Sequence, residues 1–377
     1  MSDRPAILQL LPALNSGGVE RGTLEIAEAQ ALAGYRPIVA SAGGRLVPAL
    51  EALGARHVTL PLDRKTPWAI LANAAALQRL VAEHGIALIH ARSRGPAWSG
   101  LRAARAAGLP FVTTYHGTYN ENFLGKRLYN SVMARGDRVI AISRFIAELV
   151  QARHHTDAGR IRIIPRGVDP RVFDPAMVAP GRVAKLRAAW GVPQDRPVLL
   201  LPARISRWKG QEVALQALAR LPAPRPFLIL AGETGRGAYA AELRQRTQSL
   251  GLGADVILPG HAEDMPAALL LADLVLHAST DAEAFGRSVV EAQAMARPVI
   301  AADLGAPRET VEEGVTGWRV PPGDADALAA AIARALALPA EARAALGARA
   351  QAVVRLRYTT AAMQEATIAV YRELLGA

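Results

Sequence analysis

The chain has 377 residues, a length that suits two domains of ordinary size rather than one core. It is 51% apolar and 20% charged, so it is globular rather than disordered, and its lack of cysteine excludes a disulfide scaffold, a thiolate metal site and a cysteine nucleophile. The net charge of +11 is uneven: residues 1–180 hold 22 basic against 13 acidic residues and residues 181–377 hold 22 against 20, so the first half expects an anionic partner.

Ala6–Leu14 is the first apolar run. Asp3 and Arg4 precede it, and Gln9 and Pro12 interrupt it, so it reads as a first β-strand and not as the core of a signal peptide. No uninterrupted apolar run reaches the ~18 residues of a membrane span. Ile7–Leu11, Arg36–Ala40, Ala87–His90, Phe111–Tyr115 and Arg138–Ile142 read as strands, with helical patterns such as Gly22–Ala33, Trp68–His84 and Trp98–Ala107 between them. A second series follows at Val198–Pro202, Phe227–Ala231, Val256–Leu258, Leu274–His277 and Pro298–Ala301. Strands buried on both faces read as continuous apolar runs, and their alternation with helices predicts parallel sheets. Asp169–Pro197 carries Pro170, Pro175, Pro180, Pro193 and Pro197, which suits a connection between domains around a helix Val183–Trp190. Pro339–Arg357 and Tyr358–Leu375 read as closing helices. The expected fold is α/β, two doubly wound Rossmann-like domains facing each other across a cleft. Ligands in such sheets bind at the carboxyl ends of the strands.

Several strand-to-helix loops carry chemistry. Asn15-Ser16-Gly17-Gly18 opens the first helix, where two glycines admit close backbone approach and free amides favour an anion, although the pair also suits a plain flexible turn. His116-Gly117 ends the strand Phe111–Tyr115, in a position where ligands bind. Arg204 and Lys209-Gly210 are two cations five residues apart after Val198–Pro202, a spacing that lets them converge on one diphosphate. The most specific stretch runs from Asp281 through Glu283, Phe285, Gly286, Arg287 and Ser288 to Glu291. Its small-residue turn starts a helix whose amides and the Ser288 hydroxyl suit a phosphate, while Glu291 is placed to accept hydrogen bonds from a ribose diol. Asp324-x-Asp326 has a metal-binding form but begins an alanine-rich helix, which makes it a helix cap, and no cluster has convincing metal spacing.

Taken in order, these motifs resemble the retaining family-4 glycosyltransferases of the GT-B fold. The resemblance runs over Gly17-Gly18, His116-Gly117, Ile142-Ser143, Arg166-Gly167-Val168-Asp169 with Phe173, Arg204/Lys209-Gly210, Glu283 to Glu291, and Gly317 with Pro322-Gly323-Asp324. Arg166 stands where the family usually has asparagine, and Ala306 where it usually has glycine. The resemblance implies a UDP-sugar or GDP-sugar donor, transfer with retention, no cofactor and no divalent metal. It implies a catalytic set of His116, Arg204, Lys209 and Glu283, and donor binding by Gly17, Gly18, Gly232, Phe285, Gly286, Arg287, Ser288 and Glu291. Arg204 and Lys209 would bind the diphosphate and Glu283 the sugar hydroxyls.

The basic first half is then expected to take the acceptor, an anionic glycan or lipid-linked molecule of the cell envelope such as a lipopolysaccharide core, with Arg92 and Arg94 on the acceptor side. Lys126–Arg135 reads as a basic helix carrying Leu128, Tyr129, Val132 and Met133, which suits an anionic membrane surface as well as it suits an ordinary domain helix. The expected location is cytoplasmic, at the inner face of the cytoplasmic membrane. The expected division is residues 1–174, completed by the helix 358–377, for the acceptor domain and 175–357 for the donor domain. A nucleotide-sugar epimerase of the same fold and a non-catalytic nucleotide-sugar binder are the alternatives. Nucleic acid is disfavoured, since only 5% of residues are aromatic and no stacking-rich basic motif occurs.

Overall fold

The computed structural model describes residues 4–15, 17–122, 124–235 and 237–376. Two compact units emerge, Met1–Pro165 with Thr360–Ala377, and Arg166–Thr359. Each is built on one parallel sheet.

In the first unit β1 (Ala6–Leu10), β2 (Arg36–Ser41), β3 (Arg56–Thr59), β4 (Ile86–Ala91), β5 (Phe111–Tyr115), β6 (Arg138–Ala141) and β7 (Ile161–Ile163) lie in the order β3-β2-β1-β4-β5-β6-β7. Every residue of β1 and β5 is buried, the mostly apolar side chains being covered on both faces of the sheet. The strand order reverses between β1 and β4, where Leu10 pairs with Ala91. The helix Thr360–Leu375 closes this unit: Met363, Ile368 and Tyr371 share a core with Ile7, Ile26, Leu88 and Val112. Tyr371 Oη lies 2.7 Å from His90 Nδ1 on β4, and Glu373 pairs with Arg138 and Arg162 on β6 and β7.

In the second unit β8 (Val198–Pro202), β9 (Phe227–Ala231), β10 (Val256–Gly260), β11 (Leu274–His277), β12 (Val299–Ala302) and β13 (Trp318–Val320) follow the order β10-β9-β8-β11-β12-β13. The order again reverses between a first strand and a fourth, here β8 and β11, with Leu200 beside Val275. A topological switch point of this kind leaves a crevice at the carboxyl ends of the two strands, because the loops that follow them turn to opposite faces of the sheet.

Three expectations need correction. The division falls at Pro165/Arg166 and not at 174/175, because Val168 donates to the carbonyl of Tyr358 and Asp174 pairs with Arg355, tying this stretch to the second unit. The proline-rich segment is likewise no free connection. Its helix Pro180–Ala189 is held by an Arg182–Asp264 ion pair of 2.7 Å, and Val178 and Val192 are buried. Finally, Lys126–Arg135 is not one amphipathic helix. A helix Leu124–Ser131 gives way to a 3-10 turn Val132–Ala134. Val132 and Met133 are fully buried, and Thr113 of β5 donates to the Met133 carbonyl, so half of the expected membrane face belongs to the domain core.

Candidate active site

In the second unit a group of charged residues lies at the β8/β11 switch point. β8 leads through Arg204 to a 3-10 turn, Arg207–Lys209, and then into the helix Gln211–Arg220. β11 leads through Ser279 to Glu283 and into the helix Arg287–Ala294, which Gly286 caps. The two loops are fastened together. Thr280 donates its backbone amide to the Trp208 carbonyl at 2.8 Å, and a Cβ at Gly210 would stand 1.8 Å from the Ala278 carbonyl oxygen. Only glycine permits that approach.

Lys209 and Glu283, 74 positions apart, form an ion pair between Nζ and Oε1. The same Oε1 accepts from the Ser279 hydroxyl at 2.9 Å and lies 3.3 Å from His277 Nε2. The side chains of Lys209 and Glu283 are only 16% and 12% exposed, so the pair is largely withdrawn from water. Burial by itself raises the Glu283 carboxyl, but the hydrogen bond and charge of His277 and then the Lys209 ammonium outweigh it, and the group is pulled down to about 2. Glu283 is therefore a carboxylate at neutral pH and accepts hydrogen bonds without donating any. Lys209 Nζ also stands 4.2 Å from the centre of the Trp208 ring.

The other expected donor residues fall around this cluster with different exposures. The Arg204 guanidinium is exposed and has no hydrogen bond or ion pair among the described residues; its backbone carbonyl takes the Gln211 amide at 3.0 Å. Arg204 and Lys209 thus leave one loop, but Lys209 turns inward to Glu283 while Arg204 faces solvent. Arg287 and Glu291 form an i,i+4 pair of 3.5 Å on the helix whose start also carries Ser288. The Phe285 ring is buried edge-on to Tyr358, at 5.9 Å between centroids, which leaves its backbone rather than its side chain for a ligand. At Gly232 a Cβ would sit 1.9 Å from the Ala203 carbonyl oxygen, so this glycine is required by the packing of the β8 and β9 loops whatever else it does. Asp324 caps its helix through the Ala327 amide at 2.8 Å and Asp326 pairs with Arg220. Among the described residues no group of three His, Asp or Glu side chains is placed to hold a metal ion.

In the first unit Gly17 caps the helix Gly18–Leu32, and both glycines are exposed. Ser16 lies outside the described residues. His116 is half-buried after β5, with its amide 3.4 Å from the Tyr119 hydroxyl oxygen. The two acceptor-side arginines part company. Arg94 donates to Asn130 Oδ1 at 2.8 Å and stacks on Tyr119, 4.3 Å from its ring centre. Arg92, 3% exposed, donates to Gln9 Oε1 at 3.2 Å, and burial lowers its guanidinium pKa. This corrects the acceptor-side assignment of Arg92, whose cation is shut inside the sheet's end beside Gln9 and Tyr371 and presents no face to an acceptor.

His277 and Ser279 are the functional candidates that the motif reading passed over. Their signal was nonetheless present, since His277 ends a strand at its carboxyl end as His116 nearly does.

The sequence matches known proteins along its length. Residues 16–172 match the family Glycosyltransferase Family 4, and residues 183–353 match Glycosyl transferases group 1. A crystal structure of a glycosyltransferase from Rickettsia africae superposes with a TM-score of 0.92 at 33% identity, over 99% of both chains. HepE of Anabaena, crystallised with UDP and glucose, gives a TM-score of 0.86 at 27% identity over 98% of this chain and 100% of that one. A D-inositol 3-phosphate glycosyltransferase of Mycolicibacterium paratuberculosis is 33% identical over 246 residues, 65% of this chain and 54% of its own length. The chain thus spans about half the length of the curated relatives it matches. With two parallel sheets of this order and matches at this level over both, the chain belongs to glycosyltransferase family 4 and has the GT-B fold.

Proposed function

We propose that the protein is a retaining, metal-independent glycosyltransferase that moves a sugar from a nucleoside-diphosphate donor to an anionic glycan or lipid-linked acceptor. The carrying observation is the Lys209–Glu283–His277–Ser279 cluster at the β8/β11 switch point, with Arg204 exposed beside it. A nucleoside diphosphate is the leaving group in this reading. As the bond from its oxygen to the anomeric carbon breaks, negative charge grows on the diphosphate, and fixed cations with helix-start amides oppose that charge. Arg204 and Lys209 supply the cations, and the first turn of Arg287–Ala294 supplies the amides. Glu283, ionised throughout, accepts hydrogen bonds from sugar hydroxyls and sets the orientation of the ring. Glu291 takes the ribose diol. The acceptor hydroxyl attacks the face from which the diphosphate departs and gives its proton to the departing phosphate oxygen.

The structures of HepE with UDP and with UDP-glucose support a UDP-sugar as the first donor to try, with GDP-sugars beside it. An anionic acceptor is supported by the charge of residues 1–180 and by curated relatives named for an inositol phosphate. Cell-envelope glycan synthesis at the inner membrane face is the setting that suits such an acceptor. Thermal shift against a panel of UDP- and GDP-sugars, followed by donor hydrolysis without acceptor, tests the assignment. Stabilisation by one nucleotide class with slow release of free sugar is expected. Interconversion of the donor to an epimer would overturn it.

A further inference from the structure

The first unit carries a concentration of cations around the segments that link β5, β6 and β7. A hollow of ≈ 640 Å³ is lined by Arg105, Arg127, Arg135, Arg153 and Arg160, together with Thr156. Arg105 lies in the last turn of the helix Arg94–Ala107, and its partner Asp137 immediately precedes β6. Arg160 immediately precedes β7 and donates to the Gly136 carbonyl. On one side the hollow therefore adjoins the amino-terminal ends of β6 and β7, and on the other it reaches the segment after β5 through Arg153.

Four of the five arginines have only neutral partners among the described residues. Arg127 donates to the Arg153 carbonyl at 2.7 Å, and Arg153 to the carbonyls of Thr118 and Tyr119 at 2.8 and 2.7 Å. Arg135 stands 5.1 Å from the centre of the Trp98 ring. These partners are neutral, so they fix the guanidiniums while leaving their charge uncompensated. The fifth, Arg105, pairs with Asp137 at 2.9 Å. Thr156 is 8% exposed, and its Oγ1 is buried with no hydrogen-bond partner among the described residues. Guanidiniums gathered around one hollow, with a spare hydroxyl among its lining residues, are donors that suit an oxyanion.

We propose that this hollow binds a phosphate group, as a phosphomonoester or diphosphate, at a site independent of the sugar donor. A second hollow of ≈ 410 Å³ adjoins it through the shared Leu128 and is lined by Ile70, Leu71, Trp98 and Tyr129. A phosphate on an apolar chain fills both hollows, and a free phosphate fills the first.

Calorimetric titration with inorganic pyrophosphate at low salt tests the site. Arg127 and Arg135 are exposed, so Arg127→Gln/Arg135→Gln removes charge from the rim without opening the core. The wild type is expected to bind two pyrophosphates per chain. The double variant is expected to lose one of them or weaken it at least about tenfold, as the loss of charged hydrogen bonds predicts. Lys209→Ala should lose the other. Arg127→Lys/Arg135→Lys, which keeps the charge, should retain part of the binding and guards against a folding artefact. Equal isotherms for wild type and the glutamine variant would overturn the proposal. Flotation with vesicles of phosphatidylglycerol or phosphatidylcholine then names the source. Binding to phosphatidylglycerol alone, lost in the glutamine variant, identifies a lipid headgroup. Pyrophosphate binding without flotation identifies a soluble phosphate.

Discussion

Replacing Glu283 by glutamine keeps the side chain's size and removes its charge. The carboxyl sits at about 2 in the folded protein against an ordinary 4.5. At about 1.36 kcal/mol for each pH unit between those values, the ionised form contributes about 3 kcal/mol to folding. The folded pKa is the lower one, so this contribution is complete above pH 4.5 and disappears as pH falls through 2. By pH 3 roughly 1 kcal/mol of it remains. Glutamine also leaves Lys209 largely buried without a counter-charge, which adds to the loss at neutral pH. Equilibrium urea unfolding of wild type and Glu283→Gln at pH 7, 5 and 3 measures the difference. A gap of at least about 3 kcal/mol at pH 7 and 5 that narrows by pH 3 is expected. Equal stabilities at pH 7, or a gap that stays constant down to pH 3, would refute the account of how this cluster is held.

Arg204→Ala and Lys209→Ala should each cut turnover by a factor on the order of a hundred or more, because each removes a cation opposing charge on the leaving diphosphate. Arg204→Ala should do so without changing the unfolding midpoint, since that guanidinium is exposed; near-normal rates in both variants would remove the diphosphate assignment. Activity should persist in excess chelator, and a near-total loss restored by magnesium or manganese would show that a metal and not the two cations balances the leaving group. Gly232→Ala forces a methyl against the Ala203 carbonyl at 1.9 Å and should destabilise the second unit by about 1–3 kcal/mol or more, as overpacked sites do; a stability equal to wild type would show that the β8 and β9 loops yield freely.

The interior strands were legible because burial on both faces favours apolar runs, unbroken in β8 and β9 and interrupted only by Gln9 in β1 and by Thr113 and Thr114 in β5. The strands the pattern passed over, β3, β7 and β13, all lie at sheet edges. An edge strand is half-covered, so Arg56–Thr59 and Ile161–Ile163 carry polar side chains and give no apolar run. The same limit governed Lys126–Arg135, where spacing marks which residues are apolar but not which apolar residues a sheet claims.

At the candidate site the sequence by itself determined the loops, because glycines, cations and carboxylates placed after apolar runs fall at the carboxyl ends of strands. Only the tertiary structure decided the pairings. The β8/β11 reversal sets Lys209 against Glu283 across 74 positions and adds His277 and Ser279, which local pattern does not connect. It also decided that Arg94 stacks on a tyrosine while Arg92, two residues earlier, is sealed in the sheet. The physical reason is common to both cases. Residue type follows from local composition, whereas burial and charge pairing depend on which distant strands lie side by side.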